Sequence, residues 1–131
     1  MTIRKKNKVE KQFTEVELEI MNVIWQLGEC TVKDVQKNLQ ETRSLAYTSV
    51  ATMMKILEQK KVLTSKKDDR AHTYKSLINR EDYESASLKH LAEHVFQGDP
   101  SLMVMRLLNE TDLSKDELQS IRTLLESRIR Q

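Results

Sequence analysis

Residues 43–80, RSLAYTSVATMMKILEQKKVLTSKKDDRAHTYKSLINR, leave the chain little choice of local structure. They read as a helix followed by two short strands. From Val50, apolar residues recur at Met53, Met54 and Leu57, the i, i+3, i+4, i+7 spacing of a helix with one buried side. At about 100° per residue, Thr48, Thr52, Lys55 and Gln59 fall on the opposite face, flanked by Ser49 and Ile56. Hydroxyls on such a face reach base edges or phosphates, and a lysine neutralises a phosphate, so the face suits nucleic acid. Val62–Lys67 and His72–Leu77 are strand-like, and Asp68-Asp69-Arg70-Ala71 between them is turn-rich. The plain alternative is an α+β fragment whose polar face is solvated and nothing more.

Two glycines and one proline in 131 residues leave little turn material, which points to a mainly helical chain. The length suits one domain, or one small domain plus an appendage, around a modest core. No apolar run approaches the roughly 20 residues of a membrane span. Met1-Thr2-Ile3-Arg4-Lys5-Lys6 lacks the apolar stretch of a signal peptide. A single cysteine, Cys30, cannot form an internal disulfide. A cytoplasmic protein without membrane insertion is therefore expected.

The net charge of +2 conceals a segregation. Residues 1–11 carry +4 and residues 43–80 carry +6, whereas 12–42 and 81–131 carry −4 each. Positive charge thus gathers in the N-terminal arm and the helix-hairpin stretch, where a nucleic-acid footprint would put it.

Residues 1–12 are polar, basic and aperiodic, and are expected to be a disordered arm. Thr14-x-x-Glu17 is a capping box that opens a first helix, with Phe13 placed to staple onto Leu18. Leu18, Met21, Val23, Ile24, Trp25 and Leu27 follow at core spacing, and Gly28 stops the helix. A short second helix starts at Thr31, with Asp34 three residues on and Val32, Val35 and Leu39 as its buried edge. Gln40-Glu41-Thr42-Arg43 leads into the third. Three helices with tight turns, the third bearing the polar face and followed by a basic hairpin, outline a winged helix-turn-helix over 13–78.

Residues 79–131 predict three more helices. One starts near Asn79 and runs to Gly98; one follows Asp99-Pro100; the last opens with the capping box Ser114-x-x-Glu117. Leu91, Val95, Leu102, Met105, Leu108, Leu118, Ile121 and Leu125 give these helices more apolar surface than so small an appendage buries alone. A homodimerisation module is expected there. The plainer reading folds these helices back onto their own N-terminal domain.

His90, Glu93 and His94 match H-x-x-E-H, a spacing found in some zinc peptidases. Five residues are a weak signal, and the flanking Leu88, Leu91 and Val95 account for the helix without a metal. No phosphate-binding glycine loop and no supported Ser/His/Asp set is present. Cys30 adjoins a helix cap and reads as buried, not reactive. Neither enzyme activity, nor a metal, nor a cofactor is expected.

Taken in order, Thr14–Met21 leading to Trp25, then Tyr47–Leu57, then Arg70 with Tyr74, and finally Asp112–Leu118, the residues resemble the penicillinase-repressor regulators, the family of BlaI, MecI and CopY. The similarity covers about residues 12–128. The resemblance implies a dimeric winged-helix repressor on a palindromic double-stranded DNA operator. By analogy Thr48, Ser49 and Thr52 would read bases, Lys55 and Arg43 would meet phosphate, and Lys66, Lys67 and Arg70 would form the wing. It also implies a membrane sensor protease as partner, acting in a short helix that aligns with Met105-Arg106-Leu107. The residues at that bond differ here, at Arg106-Leu107. The paired cysteines of the copper-responsive branch are absent, and Lys60-Lys61 stands where the family usually has Lys-Gly. The competing reading is a helical protein-interaction adaptor whose basic face binds an acidic partner.

Overall fold

The computed structural model describes residues 12–131, so all but the last residue of the expected N-terminal arm lies outside the described residues. The element order is α1 (Glu15–Leu27), β1 (Cys30–Thr31), α2 (Val32–Leu39), α3 (Tyr47–Gln59), β2 (Leu63–Lys67), β3 (His72–Ser76), α4 (Arg80–His94), α5 (Pro100–Glu110) and α6 (Lys115–Ile129). The chain divides into two compact units, one ending at Lys89 and the other spanning His90–Gln131. The division falls inside α4, whereas the sequence placed it before that helix.

Side-chain caps set most of the helix starts. Thr14 and Glu17 close a reciprocal capping box on α1, Thr31 and Asp34 close one on α2, and Ser114 and Glu117 close one on α6. Asp99 caps α5 with Pro100 at its first position, and Asn79 Oδ1 accepts from the Asp82 amide at the start of α4. α3 differs: Ala46 is its N-cap and supplies no side-chain bond. The helix begins at Tyr47, so the lead-in that the sequence placed at Gln40–Arg43 extends through Ala46. That loop is tied by Gln36 Nε2 donating to the Leu45 carbonyl.

The core of the first unit draws Ile20, Met21 and Ile24 from α1, Val32, Val35 and Leu39 from α2, and Val50, Met54 and Leu57 from α3. Cys30, Val62, Leu63, Tyr74, Ile78 and Tyr83 complete it. Leu27, expected in the stripe, is 39% exposed in the last turn of α1, beyond the packed residues. Trp25 is only half-buried: its indole N–H donates to the Ile78 carbonyl at 3.1 Å, and Arg80 lies over the ring. Phe13 stacks on Tyr83, with centroids 4.6 Å apart.

The sheet has three antiparallel strands in the order β1-β3-β2. The hairpin β2–β3 was legible; β1 was not, because two residues carry no period. It pairs Cys30 with Tyr74 and Thr31 with Thr73, which ties the wing to the start of α2. In the hairpin turn, Asp68 Oδ1 accepts from the Arg70 and Ala71 amides, and these bonds hold its carboxyl below the ordinary value.

α3 ends without glycine. Lys61 takes φ 66°, and the Val62 amide donates back to the Leu57 carbonyl, closing the end of the helix. A side chain in the left-handed region costs roughly 1–2 kcal/mol. Lys61→Gly is expected to stabilise the protein by about 1 kcal/mol, after its own larger unfolded-state entropy is subtracted; chemical unfolding of both proteins measures it.

Glu17 gives the fold an acid limit. Burial works to raise its carboxyl, but hydrogen bonds from Lys60 and Thr14 outweigh that and hold it below the ordinary 4.5. The folded state thus binds this proton less readily than the unfolded chain. Its contribution is complete above pH 4.5 and is lost as pH falls through the lower folded value. Thermal unfolding midpoints should drop below about pH 4.5, and less so in Glu17→Gln.

Candidate nucleic-acid interface

The geometry of α3 follows from its buried side. Val50, Met54 and Leu57 are fully buried, which turns Thr48, Ser49, Thr52, Lys55 and Gln59 to the exterior, all of them exposed. Tyr47, at the head of the same helix, is 51% exposed. It was not singled out from the sequence, because an aromatic residue beside an apolar stripe reads as core. Three hydroxyls, one amide, one phenol and one ammonium on this side of the helix offer donors and acceptors, and Glu58, the carboxylate of α3, accepts from Ser65 Oγ at 2.6 Å.

The wing supplies cations. Lys66 and Lys67 end β2, Arg70 sits in the turn, and Lys75 lies on β3, all exposed. The hairpin tip also carries two exposed carboxylates, Asp68, whose Oδ1 accepts from the turn's own amides, and Asp69.

Arg43, expected at phosphate, lies ahead of α3, and its side chain is 36% exposed. Its guanidinium is engaged by Glu19, with Nε 2.8 Å from Oε1 and Nη2 3.2 Å from Oε2. The pair raises the arginine's pKa and lowers the carboxyl's. Lys60 is likewise paired, its Nζ 2.8 Å from Glu17 Oε2. Neither cationic partner was assigned from the sequence, which placed Glu17 in its capping box alone, since pairs 24 and 43 residues apart leave no local pattern.

In the second unit, α5 and α6 contain no buried residue. Leu91, Val95, Leu102, Met105, Leu118 and Leu125 are all at least 38% exposed, and Leu108 and Ile121 are half-buried. Leu107, Leu124 and Ile129 are exposed as well and were not among the expected contacts.

His90 and His94 stack at 4.1 Å, with His94 Nδ1 2.9 Å from the His90 carbonyl oxygen. Among the described residues no three His, Cys, Asp or Glu side chains converge as a metal site. Cys30 is buried, and its thiol is pushed up to about 11 by burial and by the nearby Asp34 and Glu29 carboxylates. Such a thiol is a poor nucleophile. Among the described residues no helix is long and apolar enough to cross a membrane.

Helix-turn-helix, three-stranded sheet and basic hairpin together define a winged-helix transcription regulator. The family described as "Penicillinase repressor" matches residues 13–127, and the chain belongs to that family. The methicillin resistance regulatory protein MecI of Mammaliicoccus sciuri is 25% identical over 114 residues, covering 87% of this chain and 93% of the relative. The penicillinase repressor of Bacillus licheniformis is 28% identical over 115 residues, covering 88% and 90%. The solution structure of monomeric B. licheniformis BlaI with the blaP half-operator is similar at a TM-score of 0.49 and 32% identity, covering 56% of this chain and 89% of that one.

Proposed function

We propose that the protein is a dimeric, sequence-specific DNA-binding repressor that acts at a palindromic operator. One observation supports this most: the exposed hydroxyl face of α3 adjoins a basic wing, in a chain of the penicillinase-repressor family. Thr48, Ser49 and Thr52 read base edges. Lys55, Lys66, Lys67 and Arg70 neutralise phosphates and supply most of the affinity. Leu91, Val95, Leu102, Met105, Leu108, Leu118, Ile121 and Leu125 dimerise the chain, since α5 and α6 bury no residue of their own. A two-fold dimer then presents two recognition helices to two half-sites.

A sensor protease remains the proposed route of induction. The bond between Arg106 and Leu107 lies in the middle of α5, with both residues exposed. Cleavage there requires that turn to unwind, so accessibility alone does not make it a substrate site.

Footprinting on the DNA upstream of the protein's own gene, at two salt concentrations, tests the reading. A protected two-fold site that weakens steeply with salt is expected. Diffuse or salt-independent protection would favour the adaptor reading. Thr52→Ala should change preference among sequences, whereas Lys67→Ala should weaken all duplexes alike and reduce the salt slope by about one.

Sedimentation tests the assembly separately. The wild-type chain should run at twice its 15.4 kDa mass, and Leu118→Glu with Leu125→Glu should run as a folded monomer. A wild-type monomer at micromolar concentration would remove the dimer.

A further inference from the structure

Two carboxylates of α1 grip the recognition helix beyond both of its ends. Glu17 Oε2 holds Lys60 Nζ at 2.8 Å, and Lys60 is the residue that follows α3. Glu19 holds Arg43 through both carboxylate oxygens, four residues ahead of Tyr47. Glu17 and Glu19 stand two residues apart, hence roughly 200° around the helix axis. They leave α1 on opposite sides. Such a spread suits a helix of 13 residues, about 20 Å long, that must be held at both ends.

Beside these pairs, Glu58 Oε2 accepts from Ser65 Oγ at 2.6 Å in the last turn of α3, and Gln36 donates to the Leu45 carbonyl ahead of its start. Its first turn carries no acidic residue, its last turn no basic residue, and its N-cap no side-chain bond. The Glu17 and Glu19 side chains are 8% and 18% exposed, whereas their partners Lys60 and Arg43 are 44% and 36% exposed, so each pair is half open to water. Glu17 also accepts from the Thr14 amide through Oε1, which refers the grip on Lys60 to the first turn of α1.

We propose that Glu17 and Glu19 are positioning residues for sequence reading: they fix the tilt of α3 across α1, and so the place where Thr48, Ser49 and Thr52 meet a duplex. The inference rests on the DNA-binding reading above. Burial of Val50, Met54 and Leu57, with Ala51 and Met53 packed beside them, fixes the rotation of α3 about its own axis, and the two ion pairs tie the segments beyond its ends to α1. A recognition constellation tolerates only about 0.5 Å of misplacement. Arg43 and Lys60 are thereby framework cations, not phosphate contacts.

Charge and position predict opposite outcomes. If Arg43 were a phosphate contact restrained by Glu19, Glu19→Gln would free it, raise affinity for every duplex and steepen the salt dependence by about one contact. Positioning predicts that Glu19→Gln binds the operator about tenfold more weakly, the loss of one charge-assisted bidentate contact. Affinity for a random-sequence duplex of equal length should hold or rise.

The full-length protein, Glu19→Gln and Lys60→Met are titrated against both duplexes at two salt concentrations. Lys60→Met leaves the capping box intact where a Glu17 change would not. Amide hydrogen exchange is measured on the free proteins. The expected result is a tenfold fall in the operator-to-random ratio, with faster exchange at residues 47–50 and 57–62 and no change at 64–75. The exchanged pair Glu19→Arg with Arg43→Glu should recover much of the ratio. Parallel gains on both duplexes, or unaltered exchange in α3, overturn the proposal. If the wild-type protein prefers no sequence, the DNA-binding reading fails instead, and exchange in α3 still decides whether the carboxylates hold the helix.

Discussion

Burial of Val50, Met54 and Leu57 against α1 and α2 fixes what α3 shows to solvent. Each such side chain contributes on the order of 1.5–3 kcal/mol, so the helix cannot roll about its axis without losing several kcal/mol. Thr48, Ser49, Thr52 and Lys55 face outward as a result, with no interaction of their own required to keep them there. Surface ion pairs, at about 0–1 kcal/mol each, are too weak to set this rotation. The fold divides the labour accordingly, with apolar burial choosing the face and polar contacts finishing the ends.

Charge is distributed by the same logic. The acidic residues of α1 meet the basic ends of the α3 segment inside the first unit. Lys55 on α3 and Lys66, Lys67, Arg70 and Lys75 of the hairpin are exposed, as are Lys33 and Lys37 on α2. Within residues 43–80, Arg43 and Lys60 are paired with carboxylates of α1. Composition locates the basic region; only the pairing separates structural cations from free ones.

The parts of this architecture that were legible in the sequence are those governed by local chemistry. Thr14 with Glu17, Thr31 with Asp34, Ser114 with Glu117, and Asp99 with Pro100 all begin helices as their side chains require. The strand-like runs 62–67 and 72–77 around a turn-rich Asp68–Ala71, and the spacing of Val50, Met54 and Leu57, likewise matched the hairpin and the buried face. What escaped depended on distant partners or on very short elements. β1 exists because Cys30 and Thr31 find Tyr74 and Thr73. The late start of α3 reflects Ala46, which offers no cap to announce it. The apolar residues of α5 and α6 were legible as an excess, and they stand exposed in a single chain.

Thr31 serves two elements at once. Its backbone lies opposite Thr73 in the sheet, and its hydroxyl caps α2 by accepting from the Asp34 amide. Peeling β1 away from β3 therefore also disturbs the residue that closes the first turn of α2. The wing is not an independent flap hinged on the helices. Hairpin and helix-turn-helix share a residue whose displacement penalises both, and this favours their opening and closing as one cooperative unit.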